Sequence, residues 1–187
     1  AIALRPLLDC KKHGFADNLY LELETYKEGA LEDAVLQELS AGNFFLVLKT
    51  GEIVTPSLDR GTILPGVTRE SVVAIVNKFA HDLNEAMAQS TGDDSVSVTV
   101  SERDVTVGDI RNASEAFCTG TAAGLVPIAR LATAPNEEEF DVTLPNGSES
   151  PGPVTTKLSE MLFAAQTGEI EVEEGWLRDL CGDDFAK

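Results

Sequence analysis

Two apolar periods stand side by side in this chain, and a fold built from one kind of element accommodates only one of them. Val72, Val76, Phe79, Leu83 and Met87 recur at steps of three and four residues. That spacing predicts one long helix with a single buried face. A turn signal, Thr91-Gly92-Asp93-Asp94, follows it. Val96, Val98 and Val100 then alternate with Ser95, Ser97 and Thr99, the period of a half-buried strand.

The mixture extends in both directions. Residues 1–13 predict the end of a helix, with Lys11, Lys12 and His13 in its last turn and Gly14 as its stop. Strands are expected at 18–23, 35–39 and 44–49, and at 52–55 after a Thr50-Gly51 turn, with a polar connection at 28–33. Thr106 and Asp109 suit the N-cap and first turn of a short helix. Further strands are expected at 115–119, 125–132 and 139–144, and Pro127 should put the second at an edge or bulge. After a loop at 145–148, Pro153 opens a last helix that buries Leu158, Met161, Leu162 and Ala165 and stops at Gly168. The 187 residues thus read as one α+β domain around a largely antiparallel or mixed sheet.

Charge narrows the partners. The net charge is −18, from 32 acids against 14 bases, which argues against nucleic acid. It leaves room for a small anion held by backbone amides. The acid run Glu169, Glu171, Glu173, Glu174, Asp179, Asp183 and Asp184 reads as a solvated surface. No apolar run approaches the roughly 18 residues of a membrane span, and no signal peptide is recognised, since Arg5 and Pro6 interrupt the apolar start. Cys10, Cys118 and Cys181 are widely spaced and form no Cys-x-x-Cys, which suits a reducing compartment. His13 and His81 lie far apart, so no His/Cys metal site is expected.

Three segments carry candidate chemistry. In Ile63-Leu64-Pro65-Gly66-Val67-Thr68-Arg69, a Pro-Gly turn runs directly into the long helix. The first amides of a helix lack internal partners and sit at the positive end of its dipole. Val67, Thr68 and the Thr68 hydroxyl could therefore hold a phosphate, or Thr68 could simply cap the helix. Thr119-Gly120-Thr121-Ala122-Ala123 is either an anion nest beside the backbone or an ordinary loop. In the third, Gln37-Glu38-Leu39-Ser40-Ala41-Gly42-Asn43, Glu38 is a surface carboxylate unless a cationic ring must be held nearby.

Taken together, these segments resemble the branched-chain amino-acid aminotransferases, which are fold-type IV enzymes that use pyridoxal 5'-phosphate (PLP). The resemblance rests on Glu38 and Asn43, Leu64-Pro65-Gly66-Val67-Thr68-Arg69, Gly120-Thr121-Ala122, Gly152-Pro153-Val154-Thr155 and Gly175-Trp176-Leu177, all in order. It implies the C-terminal large domain of the D-amino-acid aminotransferase-like PLP fold, a mixed sheet or barrel with flanking helices. It implies that Glu38 pairs with the pyridine nitrogen, that Leu64 packs on the ring, and that Val67, Thr68 and Thr121 bind the phosphate. Thr121 and Ala122 would receive the substrate carboxylate, and Arg69 would pair with a nearby acid. The implied reaction is transamination of leucine, isoleucine and valine with 2-oxoglutarate by a homodimer.

The resemblance also implies parts that residues 1–187 do not supply. The Schiff-base lysine would fall a few positions before Ala1, and Lys11, Lys12, Lys27, Lys49, Lys78, Lys157 and Lys187 do not match its motif. The small N-terminal domain and an additional phosphate-binding arginine would lie upstream too. The expectation is a C-terminal cofactor-binding domain, incomplete at its N-terminus, with no catalytic residue of its own and no activity alone. D-amino-acid aminotransferases and aminodeoxychorismate lyases share the fold, and a non-catalytic domain that kept it would also suit the missing lysine. The compartment stays open among bacterial cytosol, mitochondrion and plastid.

Overall fold

The computed structural model describes residues 4–27, 30–133, 139–145 and 150–176. Four helices and nine strands are assigned within them. Asn146 to Ser148 of the expected loop, Leu177 of the last matching motif, Cys181, Lys187 and the acids Asp179, Asp183 and Asp184 lie outside the described residues, as does the start of the connection at 28–33.

The central sheet has five strands in the order β5-β4-β3-β6-β7. They are β3 (Asn43–Leu48), β4 (Glu52–Pro56), β5 (Thr99–Arg103), β6 (Ala113–Gly120) and β7 (Gly124–Pro127). All neighbours are antiparallel except β4 and β5, so the sheet is mixed. Of the two architectures expected, the open mixed sheet is the one formed, with no closed barrel among the described residues. β3 is buried along its whole length, which explains its unbroken run Phe44-Phe45-Leu46-Val47-Leu48. One face of the sheet packs Phe45, Val47, Ile53 and Phe117 against helices α2 (Val67–Phe79), α3 (Asn84–Thr91) and α4 (Pro153–Thr167). The other packs Phe44, Leu46, Val54 and Ala116 against β2 (Leu36–Leu39), Ile110 and Phe140. β2 pairs with β1 (Leu19–Leu21), and β8 (Arg130–Ala132) with β9 (Asp141–Thr143).

Most predicted elements form. Helix α1 (Leu4–Lys12) stops before Gly14 at φ +82°, and α4 stops at Gly168 with φ +79°. Thr106 and Asp109 form a reciprocal capping box on a short 3-10 helix, Val107–Asn112. Three expectations need correction. The long helix is broken: Phe79 leaves helical geometry (φ −121°, ψ 29°) and Ala80–Leu83 tightens to a 3-10 turn. Val72, Val76, Leu83 and Met87 still bury in one core, so the periodicity survives the break. The strand expected from Val96 begins only at Thr99, where parallel pairing with Glu52 starts, and the Val98 amide goes instead to Asn84 Oδ1 (3.2 Å). The strand expected at 125–132 is two strands. Pro127 ends β7 on the sheet edge, and the chain re-enters as β8.

Candidate active site

Glu38 and Asn43 are brought together by a tight reversal between β2 and β3. The Leu39 amide donates to the Gly42 carbonyl (2.9 Å), which folds the chain back within four residues. The reversal has no room for side chains at its end, because a Cβ on Gly42 would stand 2.5 Å from the Thr119 carbonyl oxygen of β6. Glu38 Oε2 then accepts from Asn43 Nδ2 (3.2 Å) and from the Leu64 amide (3.1 Å). Asn43 Nδ2 also donates to the Leu64 carbonyl (2.8 Å), as does the Gly66 amide (2.8 Å). Leu64 is therefore pinned through its backbone on both sides while its side chain stays 69% exposed. Leu64 thus presents an exposed apolar side chain beside the Glu38 carboxylate.

The Glu38 carboxylate has capacity left. Both bonds fall on Oε2, so among the described residues Oε1 is available to another donor. Partial burial pushes its carboxyl above the usual carboxylate range, and the Leu64 amide only partly opposes this. A neighbouring cation would restore the charged form.

Helix α2 starts three residues beyond Leu64. Gly66 is its N-cap and contributes no capping side chain, and the first intrahelical bond is Glu70 N to Gly66 O (3.0 Å). The amides of Val67, Thr68 and Arg69 precede that bond. Gly66 is needed for space rather than for its dihedrals, since φ is −71° but a Cβ would lie 2.3 Å from Asn43 Oδ1. Arg69 is buried and does pair with an acid: Nη2 meets Glu102 Oε2 (2.7 Å) and donates to the Pro56 carbonyl (2.9 Å). It thereby ties the first turn of α2 to the ends of β4 and β5.

Thr121, Ala122 and Ala123 form an exposed three-residue turn from β6 to β7, closed by the Gly120–Gly124 pair. Gly124 takes φ +64°, which suits a residue without Cβ. The turn adjoins the Glu38 reversal, because Asn43 is the cross-strand partner of Thr119 and a Cβ on Gly120 would stand 3.4 Å from Ala41 O. Direct bonds thus link Glu38, Asn43, Leu64 and Gly66. Val67 and Thr68 follow Gly66, and Thr121 and Ala122 follow Thr119-Gly120, but no hydrogen bond among the described residues joins Thr68 to Thr121 or either to Glu38.

Among the buried polar residues of β6 are Glu115, which the sequence did not single out, and Thr119, the first residue of the Thr119–Ala123 segment. Glu115 is 1% exposed, and its carboxylate accepts from Val154 N (2.9 Å), Thr155 N (2.9 Å) and Thr155 Oγ1 (2.7 Å). The N-terminus of α4, within the Gly152-Pro153-Val154-Thr155 motif, is filled by this internal anion. Thr119 is 2% exposed and its Oγ1 has no hydrogen-bond partner.

A cavity of about 790 Å³ opens on the other face of the sheet, lined by Phe15, Leu39, Cys118, Val126, Ile128 and Phe140 among others. It includes none of Glu38, Leu64, Val67, Thr68 or Thr121. Burial pushes the Cys118 thiol up, with Asp17 adding to the effect, so this cysteine is no ready nucleophile. Among the described residues no three His, Cys, Asp or Glu side chains are grouped to hold a metal, and no helix is long and apolar enough to cross a membrane.

Comparison with known proteins adds a family. A family model described as amino-transferase class IV matches residues 3–131. A mitochondrial branched-chain-amino-acid aminotransferase of Arabidopsis thaliana is 36% identical over 167 residues, 89% of this chain and 35% of that protein. A methionine aminotransferase of the same plant, BCAT4, is 34% identical over 171 residues, 91% of this chain and 39% of that protein. The PLP-form crystal structure of a branched-chain amino acid aminotransferase from Thermobaculum terrenum matches with a TM-score of 0.63 at 23% identity, over 94% of this chain and 45% of that one. The chain spans well under half the length of the curated relatives it matches.

Proposed function

This chain belongs to the amino-transferase class IV family, and from that premise we propose that it is the cofactor-binding part of a PLP-dependent branched-chain amino-acid aminotransferase. The observation that carries the reading is the joined group Glu38, Asn43, Leu64 and Gly66, set at the start of α2 beside the Thr121 turn. The residues suit the cofactor. Glu38 has an acceptor oxygen to spare, α2 opens on uncapped amides, and Thr119, opposite Asn43, leaves a buried hydroxyl unsatisfied.

When bound, PLP supplies an electron-accepting ring for chemistry at the substrate α-carbon. Glu38 Oε1 would accept from the protonated ring nitrogen, and the cation would in turn keep Glu38 ionised despite its burial. Leu64 would cover the ring. The Val67 and Thr68 amides, the Thr68 hydroxyl and Thr121 would hold the phosphate. Thr121 and Ala122 amides would orient the substrate carboxylate. Residues upstream of Ala1 would supply the cofactor-bearing lysine and the small domain, and the whole protein would be a homodimer acting on leucine, isoleucine or valine with 2-oxoglutarate. A second substrate reading has one observation in its favour: a relative of similar identity is a methionine aminotransferase.

The experiment compares two proteins. A longer product carrying the upstream lysine should convert leucine and 2-oxoglutarate, and residues 1–187 alone should not. Turnover by the 187-residue chain, or failure of the longer one on leucine, isoleucine, valine and methionine alike, would overturn the proposal.

A further inference from the structure

Thr119 is the one buried hydroxyl among the described residues without a hydrogen-bond partner. A hydroxyl removed from water without a partner costs about 1–3 kcal/mol, so such groups are kept where something else satisfies them. The surrounding register says where that something lies. Phe45 and Phe117 oppose one another across β3 and β6 and stack at 4.9 Å on the helix-bearing face. Side chains two positions along a strand share a face. Asn43 and Thr119 are the next opposed pair on that face, at the end of the sheet where α2 begins. Opposed residues have their Cβ atoms roughly 5 Å apart, and the Asn43 amide group reaches the Leu64 carbonyl and abuts Gly66. Thr119 is therefore the cross-strand neighbour of the side chain that reaches the start of α2, and it directly precedes the Gly120-Thr121 turn.

The same fold shows what an uncapped helix start takes in this chain. At α4 the vacancy left by Gly152 is filled by the Glu115 carboxylate, which satisfies two amides and one threonine hydroxyl. At α2 the corresponding amides open beside a threonine hydroxyl with no internal carboxylate bonded to either. We propose that the Thr119 hydroxyl is a further ligand of the anion held at the start of α2, donating from beneath to the cofactor's phosphate. The inference rests on the cofactor reading above and adds a buried residue to it, alongside Thr68 and the exposed Thr121.

The test uses 4-deoxypyridoxine 5'-phosphate, which lacks the aldehyde and so cannot react with lysines, and the 187-residue chain. Calorimetry gives Kd, and thermal unfolding without ligand gives Tm. Thr119→Val keeps the shape and removes the hydroxyl. It should raise Kd about 10-fold or more, the loss expected for one hydrogen bond to a charged group. Its ligand-free Tm should be no lower than that of the unsubstituted chain, because an unsatisfied group has been removed. Thr119→Ser should bind like the unsubstituted chain. A purely structural threonine would give the opposite pair, a lower Tm with an unchanged Kd. If Thr119→Val does not fold, Thr119→Ala replaces it in the same comparison. Unchanged Kd in the hydroxyl-free variant, with binding weakened by Thr68→Ala, overturns the role of Thr119 and leaves the phosphate site standing. No binding by the unsubstituted chain overturns both.

Discussion

Replacing Glu115 by alanine strips the N-terminus of α4 of its only side-chain acceptor among the described residues. Val154 N, Thr155 N and Thr155 Oγ1 lose bonds of 2.9, 2.9 and 2.7 Å in a site where Glu115 and Thr155 are almost wholly buried. Removing one side of a buried, charge-assisted arrangement costs about 3–5 kcal/mol. With a urea m-value of about 2 kcal/mol/M, the midpoint should fall by about 2 M. Gly152 gives a second handle on the same contact, because a Cβ there would stand 2.1 Å from Glu115 Cδ. Gly152→Ala alone should cost about 1–3 kcal/mol through overpacking. In the Glu115→Ala background the clash is gone, so the second substitution should cost little. Urea unfolding of the four proteins, followed by far-ultraviolet circular dichroism, completes the cycle. Additive costs, or a midpoint for Glu115→Ala close to that of the unsubstituted chain, would refute the claim that this carboxylate caps α4.

Glu38→Gln should raise stability at neutral pH. Burial lifts the Glu38 carboxyl, so the folded state keeps a proton the unfolded chain has lost, and stability falls as pH rises through that window. The glutamine variant lacks this loss, and its advantage in thermal melts should shrink below the ordinary carboxylate range. In the longer, lysine-bearing protein the same variant should keep PLP but lose kcat by about 10²-fold or more, if roughly 2.7 kcal/mol of transition-state stabilisation goes with the charge; unchanged kcat at full occupancy would mean Glu38 is not the ring partner. Glu52 behaves oppositely, because its bonds from Arg103 hold its carboxyl low, with Ser101 assisting against burial. Its contribution is present above the ordinary carboxylate range and is lost as pH falls, so Arg103→Met should flatten the acid limb of a stability–pH curve. Gly66→Ala should displace the Asn43 side chain and weaken binding of 4-deoxypyridoxine 5'-phosphate with little change in the far-ultraviolet spectrum.

How much of this was legible in the sequence depended on whether the signal was local. The Pro65-Gly66 turn into α2, the Thr106–Asp109 capping box and the Pro153 start of α4 are written in consecutive residues, and each was found. The break at Phe79 was not, because Leu83 and Met87 keep the helical period across a 3-10 turn and bury in the same core. The late start of β5 depends on its parallel partner, which no local pattern names. Glu38 stands near a small-residue turn in the sequence, but its role is legible only through the family resemblance. Its bonds to Asn43 and Leu64 span 5 and 26 residues. Glu115 reads as an ordinary polar position of a strand, and Thr119 only as the start of a small-residue turn. Their burial depends on α4 and α2 landing on β6, a tertiary event. A polar residue amid Ala116, Phe117 and the other buried positions of β6 was the available clue.

The central claim is that the start of α2 and the Gly120–Ala123 turn form one anion site beside Glu38. An amide-resolved nuclear magnetic resonance titration of the 187-residue chain with 4-deoxypyridoxine 5'-phosphate tests it most directly. The amides of Val67, Thr68, Thr121 and Ala122 should shift together with one saturation curve, and Leu64 should follow through its bond to Glu38. Inorganic phosphate should move the first four and leave Leu64 nearly still. Saturating shifts confined to one of the two segments, or to residues lining the cavity around Cys118, would contradict the account.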